Sequence, residues 1–594
     1  MVSILCLHVL GVAQLDISGP ATPYVLIMAV VALCKVCSGY PPRRQPHRRR
    51  RRVHYAGAVS SGLSTINRAL NRIPKRAEQR QADQLRDTFE DSGVAAALEA
   101  IDHQVLYGRR GTGKTHALRY LQVEVHARGD VGVYADLRTV GSPDGLFLGT
   151  SVPATERAAR LLVDLLNEVH ESLLMAALDD DALITDTTFV ECLDNLLNVI
   201  SSVRVAGDVE VSREGEQKGS EKSESNLGLS VGANPKVDVG LTAGRAEESR
   251  KMQRETRRGT ERIELNFSDI ARALRNLAAA LKTKRVWLLL DEWSSVPLDV
   301  QPLLGEFLVR CVLPLQKFSV KIAAIEQQTN FRDHLADGSA IGIELGADVA
   351  ANVDLDEFMV FEQNEERARS FFRGLLFKHL TSGADGAESP DGLAAEADLV
   401  RRGFTDKRAF DELVRAAEGV PRDAINIAAK AAFRAAEGKI SVPDVRVAAR
   451  AWFQTDKEAA LRSRAEAQRL LNWIIDRVIR QKRARGFLVN QKSASAPLLL
   501  TLFDARVLHI VRRGYSAQDE PGERYDVWVI DYGAYVDLIN TKSAPEGMLS
   551  FDDENSDNDE NGGDWVEVPT QDLRAIRRAI LDVEDFTRST SQTS

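Results

Sequence analysis

Nearly unbroken apolar runs recur between residues 105 and 325, at 105–107 (VLY), 286–290 (VWLLL) and 320–325 (VKIAAI), with 132–137 (GVYADL) between them. Such runs predict strands buried on both faces, as in a parallel sheet. Residues 116–121, 156–174 and 189–203 carry apolar side chains at helical spacing instead. Strand and helix therefore alternate, and the expected fold class is α/β. Within the long stretch 116–285, more than a minimal core's connections need, residues 205–225 are charged and poor in hydrophobics. Leu227, Leu229 and Val231, then Val237, Val239 and Leu241, alternate across Gly232-Ala233-Asn234-Pro235, which predicts a β-hairpin. This insertion, set at 205–260, is either a projecting element that meets a partner or DNA, or an inert decoration.

Beyond residue 460 the pattern changes. Residues 467–485 predict an amphipathic helix ending in Arg477, Arg480, Lys482, Arg483 and Arg485. A strand at 487–489, a Ser-rich cap, an apolar helix at 496–503, a strand at 507–512, a polar tip at 514–522 and a strand at 525–531 follow. Residues 552–564 are acidic and hold no apolar residue, which predicts a disordered linker. Its sharper alternative is a DNA mimic that competes for the basic helix. Leu573, Ile576, Ile580 and Val583 then form a helical stripe that must dock somewhere.

Two motifs carry chemistry. GRRGTGKT at 108–115 follows an apolar run and opens into a helix-prone one, the strand-loop-helix setting of a phosphate-binding loop. Gly108, Arg109, Arg110, Gly111, Thr112, Gly113, Lys114, Thr115 and His116 are the expected nucleotide-binding residues. The glycines let main-chain N–H groups close round a triphosphate, Lys114 reaches the β- and γ-phosphates, and Thr115 offers a hydroxyl to Mg²⁺. At 286–292, VWLLLDE delivers Asp291 and Glu292 at the carboxyl end of a buried strand, where ligands bind in open α/β sheets. Asp291 is the expected Mg²⁺ partner and Glu292 the base that polarises water, which favours hydrolysis of ATP over phosphoryl transfer. The bland alternatives are a surface glycine-rich turn and an acidic pair capping the next turn.

Residues 326–330 (EQQTN) end the run at 320–325, and EGVPRDAINIAAKAA places Gly419, Pro421 and Arg422 at a helix start. With the motifs above they resemble sensor 1 and sensor 2 of AAA+ ATPases, and KISVPDVRVAARAW at 439–452, with Ser441 as cap, resembles the last lid helix of origin-recognition and cell-division-control initiators. The resemblance covers 87–538 at the level of motifs. It implies a P-loop AAA+ core with a helical lid, a winged-helix-like α+β domain, and ATP with Mg²⁺ as ligands. It implies Gln328 as the sensor 1 residue and Arg422 as a γ-phosphate contact, although an Arg after a helix-starting Pro is in isolation a solvated charge. It also implies slow hydrolysis alone, because such enzymes borrow an arginine from a neighbouring subunit of an oligomer. Arg332 is the nearest candidate, and 341–360 holds no Arg. The chain departs from the pattern at 497–508 (PLLLTLFDARVL), where the groove-reading helix offers only Asp504 and Arg506 as charges. The hairpin tip sets Asp519, Glu520 and Glu523 against Arg512, Arg513 and Arg524. Weak, non-specific duplex DNA binding and binding of a protein partner therefore both stay open.

Composition narrows the classes. With 44% apolar and 27% charged residues, 594 residues suit three or four domains. A net charge of −9 excludes a basic nucleic-acid coat, so any DNA contact must be a local patch. Five scattered cysteines imply a reducing compartment, with Cys34 and Cys37 lacking a second metal-binding pair. The apolar stretches 1–12 and 24–33 are shorter than the roughly 18 to 20 residues of a membrane span, and basic charge follows them rather than preceding them. A basic arm, a weak anchor, and plain disorder or an over-extended start compete there, the last being favoured. The expected domains are an N-terminal extension (1–85), the ATPase core (86–360), the lid (361–455), the winged-helix-like domain (460–545), and an acidic linker with a C-terminal helix (546–594). The expected function is an ATP-hydrolysing switch or remodeller in the cytoplasm, away from membranes, acting on DNA or a protein. The alternative is a signalling NTPase or nucleotide-gated scaffold with little turnover.

Overall fold

The computed structural model describes residues 64–76, 82–140, 153–200, 210–214, 254–258, 266–335, 338–356, 364–382, 390, 392–479, 485–516, 523–539 and 579–591. The hairpin expected at 226–242, the acidic run 552–564, the paired cysteines, Arg480, Lys482 and Arg483 lie outside them. Helices α1 (Thr65–Arg72) and α2 (Ala82–Thr88) precede the first strand.

Strands β1 (Gln104–Tyr107), β2 (Val131–Asp136), β3 (Val286–Asp291), β4 (Phe318–Ala324) and β5 (Ala350–Asp354) form one parallel sheet in the order β2-β3-β4-β1-β5. Although β3 is apolar throughout, its side chains still alternate. Trp287 and Leu289 join Leu106, Leu118, Leu121 and Val125 on the face covered by α3 (Lys114–Ala127). Leu288 and Leu290 join the opposite layer, built by α4 (Ala154–Leu178), α5 (Thr187–Ile200) and α6 (Phe267–Ala280). Burial on both faces is why these strands read as continuous runs. The edge strand β5 was not expected. Segments 210–214 and 254–258 pair as an antiparallel ribbon inside the insertion, and 332–334 pairs with 340–342 in another.

The lid comprises α7 (Glu365–Thr381), α8 (Glu396–Gly403), α9 (Lys407–Ala416), α10 (Pro421–Ala435) and α11 (Val442–Trp452). Ser441 caps α11 through a reciprocal pair with Asp444. The boundary expected at residue 85 needs correction. Ile66, Leu70 and Ile73 enter the lid core, and Asn67 Nδ2 donates to Ala436 O at 2.8 Å and Gly438 O at 2.9 Å.

The C-terminal domain keeps the expected order of helix, helix and hairpin: α12 (Ala465–Trp473), β6 (Gly486–Asn490), α13 (Pro497–Asp504), β7 (Leu508–Ser516), β8 (Arg524–Ile530), α14 (Tyr532–Ile539). Of the expected helical stripe, Leu573 and Ile576 lie outside the described residues, Ile580 falls in a short strand, β9 (Ile580–Leu581), parallel to β6, and Val583 opens α15 (Val583–Ser591). Leu581 and Phe586 dock into the same core as Leu470, Leu499 and Trp528. Among the described residues, no helix is long and apolar enough to cross a membrane.

Candidate functional site between the phosphate loop and the lid

The loop after β1 turns on glycines. Gly111 and Gly113 take φ of 92° and 105°, a region that favours residues without Cβ. A Cβ on Gly111 would come within 2.9 Å of Arg422 Cβ, so the lid helix α10 sits directly on the loop. Arg422 N–H donates to Gly111 O at 3.2 Å. The turn into α10 runs through Glu418 (φ 51°) and Gly419 (φ 76°), and Pro421 opens the helix, where its fixed φ suits the first turn.

A cavity of about 400 Å³ lies between loop and lid, lined by Arg110, Gly111, Gly113, Lys114, Thr115 and His116 from the core, Glu292 and Ser295 from beyond β3, and Pro421, Arg422 and Ile425 from α10. Pro74, Lys75, Arg76, Leu85, Arg138 and His379 complete the wall. Lys114 is buried, its Nζ donating to Gly108 O at 2.7 Å and Arg109 O at 3.1 Å. Burial pulls its ammonium below the ordinary lysine range against the favourable charges of Glu292, Asp291 and Asp356, and Arg422 adds to the depression.

Asp291 is fully buried at the end of β3. Tyr134 Oη donates to its Oδ2 at 2.7 Å, and Glu292 N–H to its Oδ1 at 2.8 Å. Burial, followed by the Asp291 charge, drives the Tyr134 hydroxyl far above its ordinary range, so it stays a donor. Glu292 adopts φ 55°, left-handed for a residue with a Cβ, a conformation costing about 1 to 2 kcal/mol. Such strain concentrates at functional positions. Here it accompanies a carboxylate on the cavity wall, 3.7 Å from Arg138 Nη1.

The structure therefore brings Arg110, Gly111, Gly113, Lys114, Thr115, His116, Glu292 and Arg422 to one cavity, with Asp291 immediately behind Glu292. Other expected positions lie off the cavity wall. Gly108, Arg109 and Thr112 are not among the lining residues, because their groups serve the loop's back. Gly108 N–H donates to Ala324 O at 3.2 Å, Thr112 Oγ1 to Arg109 O at 2.9 Å, and Arg109 N–H to Asp356 Oδ2 at 2.8 Å. Gln328 points elsewhere too, its Nε2 donating to Asp504 Oδ2 of α13 at 2.7 Å. Arg485, expected in an exposed basic cluster, is buried and paired with Glu418. Arg332 pairs with Glu344 at 2.6 Å on the 332–342 ribbon. Tyr134 and Arg138 escaped the sequence reading, although both sit near the carboxyl end of β2, where the rule that located Asp291 would have found them.

A family model described as ORC-CDC6-like matches residues 74–141, a span holding Pro74, the phosphate loop, Tyr134 and Arg138. Among solved structures, the chain matches the crystal structure of Cdc6p from Pyrobaculum aerophilum at 13% identity and a TM-score of 0.27, over 79% of this chain and 96% of that one. No curated protein matches the chain. Of the motifs that carried the resemblance, the phosphate loop lies within the matched span, and the chain is similar over 74–141 to ORC-CDC6-like proteins.

Proposed function

We propose that the chain binds ATP with Mg²⁺ in the cavity between phosphate loop and lid, hydrolyses it slowly, and works as a switch acting on DNA or a protein partner. The observation that carries this reading is the meeting of Lys114, Glu292 and Arg422, from three distant segments, on one cavity wall. Lys114 and Arg422 place positive charge where a triphosphate would lie, and the N-terminus of α3 adds its dipole. Thr115 and Asp291 offer hydroxyl and carboxylate oxygens of the kind Mg²⁺ accepts. Bound there, the ion would neutralise phosphate charge as it redistributes. Tyr134 and the Glu292 N–H hold the Asp291 carboxylate in one orientation. Glu292 is the group that accepts a proton from attacking water.

Lys114→Ala is expected to abolish ATP binding, whereas Glu292→Gln should bind ATP and lose turnover, because an amide cannot accept water's proton. Fluorescent-nucleotide titration and phosphate release make the test. Hydrolysis by Glu292→Gln at the parent's rate would remove Glu292 from the base's role.

For the output, DNA is supported by Arg462, Arg464, Arg469 and Arg477, exposed on and around α12 of an otherwise acidic chain. The apolar side of α13 faces inward through Leu499, Leu502 and Phe503, and Asp504 is engaged with Gln328. The DNA reading is therefore one of phosphate contact without base readout.

A further inference from the structure

The side chain of Arg109, although within the phosphate-loop motif, leaves the cavity. It is 3% exposed, its Nε donates to Asp356 Oδ1 at 2.8 Å, and its guanidinium lies 4.5 Å over the Phe503 ring of α13. Its Nη1 stands 2.8 Å from His509 Nδ1 on β7. Guanidinium only donates, so His509 Nδ1 must accept and Nε2 carries the proton. That Nε2–H faces Asp531 Oδ2 at 3.2 Å. Asp531 pairs with Lys457, Lys457 with Asp423 at 2.8 Å, and Asp423 follows Arg422 in the first turn of α10. A buried polar circuit thus runs from the phosphate loop through the C-terminal domain to the lid and, through Arg422 N–H and Gly111 O, back to the loop.

We propose that this circuit couples nucleotide occupancy to docking of the C-terminal domain, with Arg109 and His509 as positioning residues: nucleotide tightens the docking, and a partner that draws the domain away weakens nucleotide binding by the same factor. The inference rests on the reading of the cavity as a nucleotide site. The differential contact is in the Gly108–Arg109 peptide, whose carbonyl, Gly108 O, accepts from Lys114 Nζ at 2.7 Å and whose N–H, that of Arg109, donates to Asp356 Oδ2 at 2.8 Å; Arg109 O also accepts from Lys114 Nζ at 3.1 Å. A phosphate in the cavity competes for the Lys114 ammonium, so the peptide bearing Arg109 changes partners as ligand binds. Asp356 holds both the main-chain N–H and Nε of Arg109. Peptide and guanidinium are therefore tied together, and the change reaches His509.

The test is hydrogen exchange of β7 amides in the full chain, with and without a non-hydrolysable ATP analogue and Mg²⁺, alongside fluorescent-nucleotide titration. In the parent, nucleotide should slow β7 exchange at least about fivefold, the lower end of typical coupling. Arg109→Met and His509→Leu should still bind nucleotide, by the same factor more weakly, and show no nucleotide-dependent protection of β7. His509→Gln, whose amide can accept from Arg109 and donate to Asp531, should restore it. Arg109→Lys keeps the charge but cannot hold Asp356 and His509 together, and should lose most of the protection even if Arg109→Met fails to fold. A parent that binds nucleotide without altered β7 exchange overturns the coupling and leaves the nucleotide site standing. Full protection in Arg109→Lys and His509→Leu overturns the assigned route. A parent that binds no nucleotide overturns both readings.

Discussion

Replacing Asp423 by Asn removes one negative charge from the junction of lid and C-terminal domain while keeping the side chain's shape. Asp423 is fully buried, accepts from Trp452 Nε1 at 3.0 Å, and pairs with Lys457 at 2.8 Å and with Arg506. Burial opposes its ionisation, but the Arg506 and Lys457 charges overcome this and hold the carboxyl below the usual range. Its loss leaves Lys457, 1% exposed, and Arg506, 9% exposed, short of a counter-charge. Removing one partner of a buried pair costs about 3 to 5 kcal/mol. Asp531 still pairs with Lys457 and Asp456 with Arg506, so the lower end, about 3 kcal/mol, is expected. That is roughly a hundredfold gain in the undocked population, at about 1.4 kcal/mol per tenfold. Urea unfolding followed by tryptophan fluorescence and far-ultraviolet circular dichroism reads it as an earlier midpoint for the unit holding Trp452. Lys457→Met should combine with Asp423→Asn at less than the sum of the two losses, because the residues share one interaction. A loss below about 1 kcal/mol would show that water reaches the cluster, and the buried-circuit reasoning would fall with it.

Arg422→Ala is expected to weaken ATP binding by roughly 10- to 150-fold more than ADP binding, as a charge-assisted bond to the third phosphate contributes about 1.5 to 3 kcal/mol; equal losses in calorimetric titration would make Arg422 structural. His509 faces Arg109 and Asp531, with Lys457 beyond, and burial pushes it down to about 3. Because the folded value lies below the unfolded one of about 6.5, its contribution is complete above pH 6.5 and is lost as pH falls toward 3, the loss amounting to about 2 kcal/mol by pH 5. The melting temperature of the parent should therefore fall more steeply between pH 7 and 5 than that of His509→Gln, and parallel slopes would refute it. For duplex DNA, charge reversal at Arg464 and Arg477 should flatten the salt dependence by about 0.9 per lost phosphate contact. Anisotropy at low ionic strength tests this, and no binding by the parent at micromolar concentration would turn the output reading toward a protein partner.

What could be read ahead of the structure follows from locality. The phosphate loop, the Asp291-Glu292 pair and the α10 start are each contiguous, and each depends on short-range geometry: glycine at positive φ, a strand end, and proline in the first turn. Strands β2, β3 and β4 were legible because burial on both faces leaves no polar alternation to confuse with a loop. Strand β5, with AANVD, lacks that apolar signal and takes its place from pairing with β1. Ile580 and Val583 matched a helical period by position alone, but Ile580 belongs to a strand because β6 offers an edge that no local rule can see. Gln328 was placed by analogy with a polar residue after β4, yet its partner Asp504 lies 176 positions away.

The charges were the hardest to place, and the reason is physical. An arginine or aspartate in sequence is by default solvated, because an isolated charge is costly to bury. That default fails only where opposite charges arrive together from separate segments, and here the separations are long: 67 residues for Glu418 and Arg485, 83 for Asp423 and Arg506, 400 for Arg109 and His509. A net charge of −9 carries no trace of such pairing. Balanced, buried charge adds little net stability compared with apolar packing, yet it penalises misplacement heavily, since any shift strands a charge in a low-dielectric interior. At a junction touching the phosphate loop, the lid and β7 at once, that property favours a few defined arrangements over a continuum. A junction with few states is what a ligand needs if its binding is to shift one domain against another, because only a difference in affinity between discrete states moves a population.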